Sequence, residues 1–465
     1  MKSSFYRLCF FLLFLLGPTL AQAQSVAGKL TAAFTSFQND PQLRNGMASL
    51  YVLDAQTGQA VFDQNSQVGL APASTLKVIT SVSAYELLGQ GFRYKTAFAY
   101  GKRGEETTLY VLPSGDPTFG SWRWPGTKEE EVIRGLTQAL QAVGIKSLNA
   151  IVIGNDGWNE ETVPDGWVWQ DIGNYYGAGP AKLNWRENQF DVHLKSGKNI
   201  GSPVQITGTA PHLKGYSLRS EVTAAAAGSG DQAYIYFPLN GSVATIRGTI
   251  PVNQSHFKIS GALPSAAEQF VSTLREALAK GGIQVPDQAL SHDQTNLSGG
   301  DYTVFHTVTS PPLDSIIYWF NKKSINLYGE ALVKTIGFQY EGKGASRKGV
   351  ERIQKFWKER GLPESELNLV DGSGLSPFNR VTTRAEAQIL LHARKQPWFK
   401  AFYSSLPRYN GMPMKSGTIR GTKGFCGYHT SKEGKEYVFS FLVNNYNGSA
   451  GGLVQKMYKV LDELK

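Results

Sequence analysis

The stretch 70-LAPASTLKVITSVSAYELLG-89 sets Ser74 three residues ahead of Lys77, behind Pro72 and at the head of an apolar run. The periodicity predicts a helix to about Leu88. Residues three apart share a helix face, so a hydroxyl and an amine stand side by side. A helix start also leaves backbone N–H groups without intrahelical partners. A serine hydroxyl is a poor nucleophile until a base removes its proton, and a lysine serves once burial or neighbouring cations lower its pKa. Alone, Ser-x-x-Lys recurs by chance, and a helix-start serine beside an exposed lysine has the same spelling.

Two later stretches supply matching chemistry. In 319-WFNKKSINLYGEALVK-334, Ser324 and Asn326 are one residue apart. Positions i and i+2 do not share a helix face, but on a short loop between helices both side chains can enter one cleft. There Ser324 relays a proton and Asn326 holds a substrate amide; the bland alternative is a polar helix cap. In 412-MPMKSGTIRGT-422, Lys415, Ser416, Gly417 and Thr418 precede a strand-like run. Small residues let a peptide pair with the strand edge. Lys415 and the hydroxyl of Ser416 or Thr418 then receive a carboxylate, and the backbone N–H groups of Ser74 and Thr418 form an oxyanion hole.

The rest of the chain frames these segments. Residues 47–63 alternate around Thr57-Gly58 and predict a β-hairpin. Amphipathic helices are expected over "KEEEVIRGLTQALQAVG" and "PSAAEQFVSTLREALAKGG", with the buried strand "LNAIVIG" between them. Residues 190–260 hold short alternating segments without helical periodicity, a β-rich module inside a mixed α/β one. Helical stretches recur over roughly 311–338, 347–361 and 382–405, followed by strands and a last helix. Pairing the early hairpin with the late strands gives one domain split by a long insertion. The expected boundaries are 24–90 with 300–465 for that domain, 91–189 with 261–299 for the mixed α/β insertion, and 190–260 for the β-rich one.

The first residues carry Lys2 and Arg7, a short apolar run and Ala21-Gln22-Ala23. This is a secretory leader over 1–23 with the mature chain starting at Gln24; the run is short for a membrane span, the competing reading. An exported protein of the periplasm or cell envelope is expected. Of two cysteines, Cys9 lies in the leader and Cys426 remains, so no intramolecular disulfide is expected. The formal charge of +10 is scattered without a long basic run, which argues against nucleic acid as a partner. Loose membrane attachment and homo-oligomerisation stay open. His193, His306 and His429 show no metal-binding spacing, and no metal or other cofactor is expected. His429 and Cys426 read as structural residues on one strand.

Taken together and in this order, S-T-L-K, S-I-N and K-S-G resemble the S-x-x-K, S-D-N and K-T-G set of penicillin-binding proteins and class A β-lactamases. The chain is similar to the low-molecular-mass class C penicillin-binding proteins, the D-alanyl-D-alanine carboxypeptidase and endopeptidase family. The long gap between Lys77 and Ser324 matches that family's two extra domains, and "SGDPTFG" and "DGSGLSPFNRVTT" also resemble its stretches. The resemblance implies a serine penicillin-recognising, transpeptidase-like fold of the α/β (α+β) class, an antiparallel sheet flanked by helices with two inserted domains. It implies acyl transfer on peptidoglycan stem peptides, with β-lactams as covalent inhibitors. Ile325 stands where the family has aspartate and Ser416 where it has threonine; both departures bear on substrate preference, since each proposed proton carrier is kept. In relatives an acidic residue after a strand like "AIVIG" receives the amine of a diamino acid, and Asp156 is the counterpart here, with an ordinary turn aspartate as its alternative. The rivals are a β-lactamase or esterase on the same scaffold and a wall-binding protein without activity.

Overall fold

The computed structural model describes residues 25–154, 156–159, 161–286 and 302–465, together with the backbone of 290–293. The expected leader, Cys9 and the domain junction at 299–300 lie outside the described residues.

Nearly continuous burial along its inner strands, on both faces, marks the central sheet. Its six strands run in the order Arg408–Tyr409, Met412–Ile419, Thr422–Thr430, Glu436–Asn444, Met47–Asp54 and Ala60–Gln64. The early hairpin therefore closes onto the late strands, Met47 opposite Asn444 and Asp54 opposite Tyr437, all antiparallel. One face is covered by the helices Val26–Gln38 and Ala450–Asp462, through Phe34, Phe37, Phe441, Leu453 and Met457. The other face carries the helices Lys77–Leu88, Asn326–Glu341 and Thr383–Arg394, with Ile79, Val82, Leu332, Ile336 and Leu390 in a second core. Each such side chain contributes about 1.5–3 kcal/mol when fully buried, so two hydrophobic layers fix the sheet between them.

The insertion folds around separate cores. A five-stranded sheet runs in the order Leu290–Asp293, Ala150–Gly154, Glu106–Leu112, Lys95–Arg103 and Thr303–Thr309. The helices Glu129–Ala142 and Ala266–Lys280 pack against it through Leu136, Leu140, Phe270 and Leu274. The Ser265 hydroxyl accepts from the Glu268 N–H and starts the second helix. Two three-stranded sheets between Gln189 and Ala262 share the core of Val192, Ile235, Ile246 and Ile259.

Two details depart from the sequence reading. Thr303–Thr309, placed by sequence in the catalytic module, pairs antiparallel with Lys95–Arg103, so it belongs to the sheet of the insertion. The sequence reading marked no strand here, and a strand's own residues do not name its neighbour. The helical stretch expected over 311–338 is broken: Leu313–Lys323 ends at Ser324, whose φ is +56°, and Asn326 opens the next helix. A non-glycine residue in this left-handed region costs about 1–2 kcal/mol, and here the turn redirects a functional hydroxyl. No helix among the described residues is long and apolar enough to cross a membrane.

Candidate active site

The nucleophile segment is held from three sides. Ala73, at φ +49°, leads into a short 3-10 turn over Ala73–Leu76, which runs on as the helix Lys77–Leu88. Asn444, at the end of its strand, accepts from the Ala71 N–H at 2.8 Å and donates to the Ala71 carbonyl at 3.0 Å. Beneath Ser74, the Thr75 hydroxyl donates to Glu386 at 2.7 Å, and the same carboxyl takes the Ser440 hydroxyl at 2.6 Å.

Lys77 is fully buried, and its Nζ reaches three acceptors: Ser74 Oγ at 3.0 Å, Asn326 Oδ1 at 2.7 Å and the Ser373 carbonyl at 2.6 Å. Burial, and after it the Lys415 cation, hold its amine well below the usual lysine range; the Asp371 and Glu330 carboxyls oppose them. A neutral amine so placed donates to Asn326 and Ser373 and keeps its lone pair for the Ser74 proton. Asn326 is itself oriented, its Nδ2 donating to the Tyr176 carbonyl of the insertion at 2.8 Å.

Lys415 is also buried, and its Nζ donates to Ser324 Oγ at 3.0 Å and to the Ser416 carbonyl at 2.8 Å. Burial pushes it down to about 7, with the Lys423 cation adding to the effect. The strand carrying it presses on the nucleophile turn at Gly417. A β-carbon there would stand 2.4 Å from the Pro72 carbonyl and 3.0 Å from the Ser74 nitrogen. Glycine is thus required for close approach of the third motif to the first.

The structure brings Ser74, Lys77, Ser324, Asn326, Lys415, Ser416 and Gly417 together. The side chains of two predicted residues take no part in the hydrogen bonds of this network. The exposed Thr418 hydroxyl accepts from Lys423 at 2.7 Å, and the Asp156 carbonyl accepts from Lys182 at 3.0 Å, while Asp156 Oδ1 is buried without a partner. Cys426 is fully buried opposite Lys415, with Sγ 3.9 Å from the Thr75 carbonyl. Among the described residues, no group of three or more His, Cys, Asp or Glu could hold a metal ion.

Sequence reasoning missed a supporting layer. Asp371 takes four donors: Gly374 N, Ser376 N, Asn379 Nδ2 and, from the insertion, Trp167 Nε1 at 2.9 Å. It thereby shapes the turn whose Ser373 carbonyl meets Lys77. The stretch "DGSGLSPFNRVTT" was the available signal, with an aspartate ahead of closely spaced glycines. Glu187 is fully buried in a run of three left-handed residues, Arg186, Glu187 and Asn188. Its carboxylate accepts from Ser121, Arg123 and the Tyr328 hydroxyl, the last at 2.7 Å and two residues past Asn326. No local pattern marks that pairing.

Comparison with known proteins fits this geometry. The model of the D-Ala-D-Ala carboxypeptidase 3 (S13) family matches residues 30–408. The chain belongs to this family. The match ends before Lys415, so the third motif joins the S13 site through its contacts with Ser324 and the Ser74 turn. The S13 chain is 27% identical to the D-alanyl-D-alanine carboxypeptidase of Actinomadura sp. (strain R39), over 95% of this chain and 86% of that protein. It is 23% identical to the D-alanyl-D-alanine carboxypeptidase DacB of Haemophilus influenzae, over 86% of this chain and 85% of that one. In fold, the S13 chain resembles the crystal structure of penicillin binding protein 4 from Haemophilus influenzae, with a TM-score of 0.77 at 21% identity, covering 92% of this chain and 98% of that one. This S13 protein is therefore an enzyme of the D-Ala-D-Ala carboxypeptidase type on a penicillin-recognising fold with insertions.

Proposed function

We propose that this enzyme cleaves the terminal D-alanyl-D-alanine bond of peptidoglycan stem peptides through an acyl-serine, and that D-alanyl cross-links are cleaved by the same cycle. The observation that carries the assignment is the triple contact of Lys77 with Ser74, Asn326 and Ser373. Ser74 Oγ bonds to the carbonyl carbon of the penultimate D-alanine as its proton passes to Lys77. The backbone N–H groups of Ser74 and Thr418 receive the oxyanion. Collapse breaks the C–N bond, and the leaving amine takes its proton through Ser324, whose hydroxyl is held by Lys415. Water then hydrolyses the ester and frees Ser74. Lys415, with Ser416 or Thr418, receives the terminal carboxylate, and Asn326 holds a substrate amide.

β-Lactams acylate the same serine, because they present a strained amide beside a carboxylate, and the resulting ester hydrolyses slowly. The buried, unpartnered Oδ1 of Asp156 supports an amine site for a diamino acid side chain, with Lys182 as a competing cation. The leader-like start supports export to the periplasm or cell envelope.

Ser74→Ala is expected to abolish covalent labelling by a fluorescent penicillin while leaving the cooperative unfolding transition in place. Retained labelling would refute the nucleophile. Masses of products from cross-linked and uncross-linked muropeptides separate endopeptidase from carboxypeptidase action. Rapid multiple turnover of a chromogenic cephalosporin would instead favour a β-lactamase.

A further inference from the structure

The two groups that aim Lys77 at Ser74 are each held from outside the catalytic sheet, by one stretch of the insertion. The Lys77 amine meets Asn326 Oδ1 and the Ser373 carbonyl. Asn326 is in turn tied to the Tyr176 carbonyl at 2.8 Å. The Ser373 carbonyl belongs to a turn built on Asp371, and the Trp167 indole N–H donates to Asp371 Oδ2 at 2.9 Å. Trp167 and Tyr176 lie on the same connection, between the strands Ala150–Gly154 and Gln189–Lys195.

This connection is a strap anchored along its course. At its start the buried Lys334 amine, from the helix Asn326–Glu341, donates to the Glu161 carbonyl and, at 3.4 Å, to that of Asn159. Gly166, at φ +78°, then lets the chain close on the Asp371 turn: a β-carbon there would stand 2.5 Å from the Phe378 ring and 2.6 Å from Ser376 Oγ. Trp167 follows and is buried. Further on, the strap is fastened to the β-rich module. Asn174 Oδ1 accepts from the Ile235 N–H at 3.0 Å, and the Gly173 carbonyl accepts from the Ala262 N–H at 3.1 Å.

An unbroken hydrogen-bonded path runs from the strap to the nucleophile. Asp371 Oδ1 accepts from the Gly374 N–H at 2.7 Å. That N–H shares a rigid peptide plane with the Ser373 carbonyl, which receives Lys77 at 2.6 Å, and Lys77 stands 3.0 Å from Ser74 Oγ. The other donors to Asp371, from Gly374, Ser376 and Asn379, are local to the turn and give it its shape. Trp167 comes from elsewhere and fixes where the turn sits.

We propose that Trp167 is a positioning residue for the base: through Asp371 and the Ser373–Gly374 peptide it sets the direction of Lys77 toward Ser74, making the insertion a working part of the catalytic centre. Without the indole N–H, Asp371 keeps its local donors and the turn keeps its fold, but the peptide plane is free to tilt. Lys77 follows the Ser373 carbonyl away from the Ser74 hydroxyl. The loss falls on acylation, because neither Trp167 nor Asp371 is among the groups assigned to receive substrate.

This inference rests on the assignment of Ser74 and Lys77 as nucleophile and base. The test is acylation by a chromogenic cephalosporin, followed by stopped flow on the full chain over a concentration series that separates limiting rate from half-saturation. Trp167→Phe keeps an aromatic ring and removes the donor. Its limiting rate is expected to fall about tenfold, with half-saturation within about twofold of native. Trp169→Phe, on the same strap, removes an indole N–H that donates to the Phe237 carbonyl inside the insertion, and is expected to keep the native limiting rate. In an Asp371→Asn background, Trp167→Phe is expected to cost less than about twofold, because both changes act on one path. An unchanged limiting rate in Trp167→Phe, an equal fall in Trp169→Phe, or an undiminished loss on top of Asp371→Asn each overturns the proposal. Should Trp167→Phe fail to fold, benzothienylalanine at position 167 keeps the bicyclic ring without the N–H and is held to the same fall. Native protein that is not acylated at all would instead sink the Ser74 assignment, and this inference with it.

Discussion

Lys415 Nζ stands 3.0 Å from Ser324 Oγ, joining a strand near the end of the chain to the break between two helices about ninety residues earlier. The contact ties carboxylate recognition to proton delivery, because one ammonium both attracts the substrate terminus and orients the relay hydroxyl.

Burial brings Lys415 down to about 7 from its ordinary 10.5, so its charge is lost within the range of an ordinary assay. The ammonium form binds the carboxylate. The KM for a D-alanyl-D-alanine peptide is therefore expected to rise roughly fivefold between about pH 7 and about pH 8. In Lys415→Met, KM is high throughout and this rise is absent. Steady-state kinetics over the pH series on both proteins checks it.

Gly417→Ala adds a β-carbon where the Pro72 carbonyl already stands 2.4 Å away. The strand must retreat from the nucleophile turn, which costs about 1–3 kcal/mol of stability by overpacking. A displacement of this kind at the reacting atoms lowers the acylation rate by about 100-fold. Penicillin labelling rates and urea midpoints report the two effects, and a native labelling rate would remove this strand from the oxyanion site.

Glu386, buried beneath Thr75 and Ser440, is pushed up to about 7 from 4.5, first of all by burial. The folded state therefore holds a proton that the unfolded state releases, and stability falls as pH rises from about 4.5 through about 7. The loss is about 3 kcal/mol. Glu386→Gln lacks this slope, so its stability relative to the native chain is expected to improve by about that amount between pH 4.5 and pH 7. Urea denaturation at the two pH values measures it. Equal slopes would show that Glu386 does not change its proton on folding.

Much of this site was legible before any coordinates. The spacing of Ser74 and Lys77 marks a shared helix face, and small residues after Lys415 mark a strand that another backbone can approach. Periodicity likewise marked the hairpin that closes the central sheet and the two amphipathic helices of the insertion. What stayed hidden depends on partners distant in sequence. Glu187, Glu330 and Glu386 sit in helical or turn segments where a glutamate ordinarily faces water, and only the fold reveals that each is buried. The strand Thr303–Thr309 was not read from the sequence, and its partner Lys95–Arg103 lies far earlier in the chain. The left-handed turn at Ser324 was hidden for another reason: no glycine or asparagine occupies the position, and the conformation is imposed by the packing of the helices on either side.

The central sheet places Met47–Asp54 beside Glu436–Asn444, and the helix Val26–Gln38 packs on the same face as Ala450–Asp462. The turn that carries Ser74 follows the early hairpin, yet its surroundings are completed only when that hairpin has paired with strands about four hundred residues away in sequence. Such distant pairing makes folding slow in contact-order terms, and the cleft around the reactive serine is among the last features to close.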